Sequence, residues 1–147
     1  MRVVLQRVTE ASVRVGDDVA GAIGGGLVAL VGVADGDAEA DALALARKTA
    51  RLRIFPGVDG GPERDVVDAG GAVLVVSQFT LLADTRRGNR PSWSRAAPPL
   101  HARAMVDAFA QELAALGVPV ETGRFGAMML VQLVNDGPFT ILLDSRD

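Results

Sequence analysis

The chain has 147 residues, 49% of them hydrophobic, which suits one domain with a sizeable core. A formal net charge of −3 argues against broad nonspecific binding to nucleic acid, and the absence of cysteine removes disulfides, thiolate catalysis and thiolate metal sites together. No apolar run approaches the ~18 residues that span a bilayer and no signal-peptide pattern follows Arg2 and Arg7, so a soluble cytoplasmic protein is expected.

The N-terminal third reads as strands joined by tight turns. Val3–Val8 is a strand, and Ala11–Val15 alternates with period two. Gly16-Asp17-Asp18 turns the chain into Val19–Ile23, a hairpin. Gly24-Gly25-Gly26 lacks the Lys-Ser/Thr of a P-loop and the spacing of a dinucleotide fingerprint, so it reads as a turn before the strand Leu27–Val33. Asp37 is expected to cap a helix whose first turn carries Glu39 and Asp41 and whose end carries Arg47, Lys48 and Arg51, as the macrodipole favours. A Pro/Gly/Asp loop, Pro56 to Pro62, follows Leu52–Phe55.

Val73–Val76 is a continuous apolar run, expected as a strand buried on both faces and flowing into Ser77-Gln78-Phe79-Thr80-Leu81. A polar loop from Asp84 to Pro99 comes next. Arg86, Arg87, Arg90 and Arg95 fall within ten of its residues and share that stretch with no acid, which reads as a solvated loop or as a local phosphate contact. Met105, Phe109, Leu113 and Leu116 mark one face of a second helix, ended by Gly117 and Pro119. The last strands are Val118–Thr122, Met128–Val134 and Phe139–Leu143. Gly137-Pro138 between the final two reads as a turn, or as a rigid element that presents two carbonyls and no side chain. Roughly eight strands and two main helices imply an α+β fold with largely antiparallel sheets.

Side-chain chemistry is scarce. His101 is the only histidine and sits in an ordinary amphipathic helix, and there is no Gly-x-Ser-x-Gly elbow for a triad. Neither a zinc ligand set nor a carboxylate pair stands out among the scattered acids, so no metal is expected. An enzyme built from these residues must rely on backbone groups and on its substrate. Ser77-Gln78-Phe79-Thr80 is the best remaining site candidate: its N–H groups suit an oxyanion hole, while in isolation its hydroxyls read first as an ordinary strand end that satisfies backbone groups.

Taken together, the segments resemble one family. Ser77-Gln78-Phe79-Thr80-Leu81 and Asn135-Asp136-Gly137-Pro138-Phe139-Thr140 look like the two signature motifs of the D-aminoacyl-tRNA deacylases. Met1–Val8, Ala11–Val13, Arg90–Ser92 and Val118–Gly126 are similar to the same family, so the resemblance runs end to end over a single domain, 1–147. It implies a barrel- or sandwich-like core, a homodimer with active sites at the subunit interface, no cofactor, and hydrolysis of the ester between a D-amino acid and the tRNA 3′ end. It also implies that Gly137-Pro138 is a cis peptide inserted into the partner's pocket to reject L-amino acids, with Arg7 holding the motif. Ser77, Gln78, Phe79 and Thr80 would line the reaction centre, and Phe125 and Met129 the adenosine pocket. The expected partners are the aminoacyl-tRNA 3′ end and a second copy, not DNA or a membrane. Two positions depart from the family pattern: Phe139 stands where a smaller Val is common and Leu82 where Tyr is common. A filter that excludes only an L side chain implies that glycyl-tRNA is cleaved as well. A non-catalytic acceptor-end binding protein and an editing hydrolase for L-misacylated tRNA remain as alternatives.

Overall fold

The computed structural model describes residues 1–147. Its organising element is β1 (Arg2–Val15), a fourteen-residue strand that pairs along both edges. On one edge its first half runs antiparallel to β3 (Gly26–Gly32) and its second half antiparallel to β2 (Asp18–Ile23). Along the other edge lies β6 (Leu130–Asp144), also antiparallel. Beyond β3 the pairing changes direction: β4 (Ala72–Ser77) is parallel to β3, and β5 (Val120–Thr122) is parallel to β4.

The sheet is therefore mixed: three of its five strand pairings are antiparallel, as expected, and two are parallel. Parallel neighbours need long crossovers, and the two helices supply them. Helix α1 (Glu39–Arg51) carries the chain from β3 to β4, and α2 (Pro99–Ala115) from β4 to β5. The far edge curls back, because a Cβ placed on Gly21 of β2 would lie 2.7 Å from the Thr122 carbonyl oxygen of β5. That approach leaves the sheet nearly closed into a barrel.

Strands β3 and β4 are buried on both faces, as the apolar run Val73–Val76 predicts for β4. Successive side chains point to opposite faces. Leu27, Ala29, Val31, Val73 and Val75 join the larger core with Ala46 of α1 and Phe109 and Leu113 of α2. Val28, Leu74 and Val76 face a second, smaller core with Val8, Val13 and Ile23. The two helices pack together and are tied at the surface by Arg47 Nε–Glu112 Oε1 at 2.6 Å. Met105, Phe109 and Leu113 are buried along α2, while Leu116 lies past its end and Gly117 closes it at φ 89°.

Two local expectations change. Asp37 does not cap α1, whose N-cap is Ala38. Asp37 is buried instead, accepting the Ala34 N–H at 2.6 Å and pairing with the Met1 ammonium at 2.7 Å, while Asp41 accepts the Ala38 N–H. His101 donates from Nε2 to the Asp37 carbonyl at 2.7 Å, which gives it a structural partner. The expected strand pairs at both ends of the chain are each one continuous strand, β1 and β6, so six strands replace roughly eight.

Gly137-Pro138 is accordingly not a reversal of direction. It lies inside β6, both halves of which pair with β1. Gln6 faces Thr140 and Val8 faces Asn135, so Arg7 alone opposes the four residues 136–139. The surplus is extruded as a wide bulge, a device that re-aims a strand locally without ending it. No helix is long and apolar enough to cross a membrane.

Candidate functional site: a cleft at the end of β4 and a bulge in β6

At the C-terminal end of β4 the apolar run stops at half-buried Ser77. Gln78 remains tied to the sheet through its N–H to the Val31 carbonyl at 2.7 Å. The chain then winds into one 3-10 turn, Phe79–Leu82, whose following bonds run from Leu81 N–H to Gln78 O and from Ala83 N–H to Thr80 O. The first N–H groups of a helical turn have no partner within it. Here those are the N–H groups of Phe79 and Thr80. The Gln78 side-chain amide donates to Thr80 Oγ1 and fixes both polar side chains against each other. Gly32 keeps this turn close to β3, since a Cβ there would meet the Gln78 carbonyl oxygen at 2.9 Å.

Ser77, Gln78 and Phe79 line a mostly apolar cleft of about 220 Å³ together with Val31 of β3, Val106 of α2 and Phe125. Phe125 reaches it from a turn after β5 that is closed by Ala127 N–H to Arg124 O, with Gly126 at φ 75°. None of the cleft residues carries a titratable side chain. No three His, Asp or Glu side chains converge on a point that a metal ion could occupy. The polar equipment of the cleft is a hydroxyl, an amide and backbone N–H groups, so it suits stabilisation of developing negative charge and not transfer of a proton by a side chain.

The expected pocket residue Met129 is elsewhere. It packs on the second core, with its sulfur 2.8 Å from where a Cβ on Gly123 would stand. The β6 bulge is elsewhere as well. Arg7 is level with Leu27 on β3, whereas Ser77 is level with Val31. Four residues at ~3.3 Å each put the bulge about 13 Å from the cleft along the strands, and three strand spacings add about 14 Å across. Within one chain the two expected halves of the site do not meet.

The bulge is built around Arg7, which is 8% exposed. One guanidinium N–H group donates to the Ile54 carbonyl. Nε lies 2.9 Å from Asp136 Oδ2, without the alignment of a hydrogen bond, and the guanidinium sits 4.5 Å from the centre of the Phe139 ring. Asn135 donates to the carbonyls of Arg7 at 2.9 Å and Phe139 at 3.2 Å. These contacts grip the flanks of the bulge and leave Gly137 and Pro138 exposed at its tip, joined by a cis peptide bond. A Cβ on Gly137 would have the Asn135 Oδ1 as its nearest neighbour at 3.8 Å, an ordinary contact. Flanking the bulge, Leu130, Val134 and Leu142 of β6 are 73%, 47% and 63% exposed, so its outer face is an unpartnered apolar surface.

Between β4 and α2, the arginine loop is less free than its composition suggests. Arg86 grips Asp84 with Nε–Oδ1 at 2.9 Å and a second bond at 2.6 Å, and Arg95 donates to the Ala83 carbonyl at 3.1 Å. The hydrogen bonds from Arg86 hold the Asp84 carboxyl well below the usual carboxylate range. Trp93 was not marked by sequence reasoning, yet it meets Phe79 at the mouth of the cleft with ring centroids 5.4 Å apart. The available signal was a lone tryptophan in an otherwise polar, arginine-rich loop.

Comparison with known proteins gives a consistent result. The family described as D-Tyr-tRNA(Tyr) deacylase matches residues 4–144. The chain is 65% identical over 145 residues to a D-aminoacyl-tRNA deacylase of Roseiflexus sp. (strain RS-1), covering 99% of this chain and 94% of the relative. It is 59% identical over 147 residues to the D-aminoacyl-tRNA deacylase of Thermomicrobium roseum, covering 100% and 96%. Among solved structures, one described as c-Myc DNA Unwinding Element Binding Protein superposes with TM-score 0.90 at 37% identity over 98% of each chain. A probable eukaryotic D-amino acid tRNA deacylase shares the fold with TM-score 0.81 at 18% identity over 97% of each chain.

Proposed function

Because this chain belongs to the D-aminoacyl-tRNA deacylase family, hydrolases of the aminoacyl-tRNA ester, we propose that it cleaves D-aminoacyl-tRNA in the cleft at the end of β4 and rejects L-aminoacyl-tRNA with the β6 bulge of a second copy. The observation that carries the reading is the convergence of Ser77, Gln78, Phe79 and Phe125 on one cleft without a titratable side chain. Water adds to the ester carbonyl carbon, and the carbonyl oxygen becomes an oxyanion held by the N–H groups of Phe79 and Thr80. The bond to the ribose oxygen then breaks, and that oxygen takes a proton, releasing the D-amino acid and tRNA. With no side-chain base in the cleft, the substrate's own 2′-OH assists the water. Each oxyanion donor of this kind is worth roughly 10²–10³ in kcat. Phe125 walls the terminal adenosine, and Met129 supports that wall from behind through the chain at Gly123.

Chiral selection falls to Gly137 and Pro138. They are exposed, gripped at their flanks by Arg7 and Asn135, and too far from the cleft of their own protomer to enter it. The apolar outer face of β6 gives a homodimer its contact surface, and the bulge of each subunit then reaches the partner's cleft. Two carbonyls and no side chain meet the substrate amino group and leave no space where an L side chain would project. Glycine has no side chain to exclude, so glycyl-tRNA is cleaved too. An enzyme acting on charged tRNA works in the cytoplasm. Incubation of the purified protein with D- and L-tyrosyl-tRNA tests the reading: hydrolysis of the D-ester alone supports it, and equal rates or no hydrolysis contradict it.

A further inference from the structure

A step of exposed aromatic surface leads out of the cleft towards a charged basin. Phe79 lines the cleft and is 55% exposed, and Trp93 meets it edge-on, at 78° between ring planes, with 42% of its own surface open. The residues on either side of Trp93, Ser92 and Ser94, line a basin of about 490 Å³ with Asp84, Arg86, Arg87 and Arg90, and no hydrophobic residue contributes to it. From Asp84 to Arg95 the loop has four arginines and one acid, a local charge of +3 in a chain of net −3. Asp84 is neutralised by Arg86, and Arg95 is committed to the Ala83 carbonyl. Arg87 and Arg90 are left exposed on the basin, with no ion pair or side-chain hydrogen bond to the protein.

An open aromatic face beside two unpaired guanidinium groups is the equipment that single-stranded nucleic acid uses. Any base has a face to stack, and arginine forks match phosphate oxygens. A duplex offers no free base face, so the partner is an unpaired strand. The geometry points to a second nucleotide subsite beside the cleft: Trp93 stacks the base that precedes the terminal nucleotide of an unpaired RNA 3′ end, and Arg87 and Arg90 hold the phosphates of that segment in the basin. The assignment rests on the reading that the cleft takes the terminal nucleoside, and it gives the arginine-rich loop of an acidic protein a role beside the cleft mouth.

The test uses the full chain and an unacylated RNA trinucleotide with the tRNA 3′-end sequence. Trp93 is the only tryptophan, so stacking is read directly as a change in tryptophan emission. The wild type is expected to show saturable quenching that weakens with salt. The double variant Arg87→Ala/Arg90→Ala is expected to flatten the logarithmic salt slope by about 1.4, roughly 0.7 per phosphate contact. In kinetics, Trp93→Ala is expected to raise KM for D-tyrosyl-tRNA about tenfold more than for D-tyrosyl-adenosine, which has no preceding nucleotide, and Trp93→Phe is expected to recover most of the loss. No quenching by the trinucleotide, an unchanged salt slope, or an equal loss on both esters overturns the subsite. Quenching without hydrolysis of either ester overturns the deacylase reading and leaves the subsite standing.

Discussion

Arg7→Ala removes three contacts at once, and their sizes can be worked from the geometry. The buried hydrogen bond to the Ile54 carbonyl is charge-assisted and contributes ~1.5–3 kcal/mol. The ion pair with Asp136 is weaker, ~0.2–1 kcal/mol, because the Asp136 side chain is 44% exposed and screened by water. The guanidinium over the Phe139 ring adds ~0.5–2 kcal/mol. The three share one group and do not simply add, so a loss of about 3 kcal/mol is expected, or ~6–12 °C in Tm for a chain of this size. The damage is local, because two of the three contacts hold Asp136 and Phe139 directly and the third anchors the guanidinium that makes them. Measured well below the new Tm, D-tyrosyl-tRNA hydrolysis should fall and discrimination against the L-ester should weaken, while Arg7→Lys, with a charge but no fork, falls between. A Tm shift below about 2 °C, or wild-type rates and selectivity in a destabilised variant, refutes the argument that Arg7 positions the bulge.

Gly137→Ala should fold with a stability change within about 1 kcal/mol, since its Cβ finds 3.8 Å of clearance and a Gly→Ala change can even stabilise through the unfolded chain. Its hydrolysis of D-tyrosyl-tRNA should nonetheless fall about 100-fold, the scale of a 1 Å misplacement of substrate; a stable variant with full activity contradicts the filter. Glycyl-tRNA should be hydrolysed at enzyme levels that clear D-tyrosyl-tRNA, and its survival under those conditions counts against selection by side-chain exclusion alone. Burial works against ionisation of Asp144, but the Arg2 hydrogen bond at 2.8 Å and the Arg146 N–H outweigh it and hold the carboxyl below its ordinary range. A lowered pKa stabilises the fold above about pH 4 and is lost as pH falls through the folded value. Asp144→Asn should therefore lower the unfolding free energy measured with urea at pH 7 by about 1 kcal/mol, and the gap to wild type should close towards pH 3; a gap that widens in acid reverses the sign.

The parts of the fold set by local pattern were legible in the sequence. Continuous apolar runs at Leu27–Val33 and Val73–Val76 marked buried strands, and spacing along α2 marked its buried face. Long-range pairing was not legible. Nothing local tells that Met128–Val134 and Phe139–Leu143 belong to one strand, because β1 fixes that by pairing with both halves across the bulge. The parallel placement of β4 and β5 is likewise decided by where α1 and α2 cross, and Asp37 was drawn away from α1 by a buried cation 36 residues earlier in the chain. At the site, Ser77–Phe79 and Phe125 line one cleft; the polar end of a buried strand marked Ser77–Phe79 locally, whereas Phe125 carried no local signal and was named only by the family resemblance. Met129 and Trp93 depended on packing between distant segments, which no spacing reports.

The stereochemistry of one ester tests the cleft and the bulge together. With purified wild-type protein, D-tyrosyl-tRNA is predicted to be deacylated under conditions in which L-tyrosyl-tRNA stays charged. Loss of both at equal rates, or survival of both, contradicts the reading.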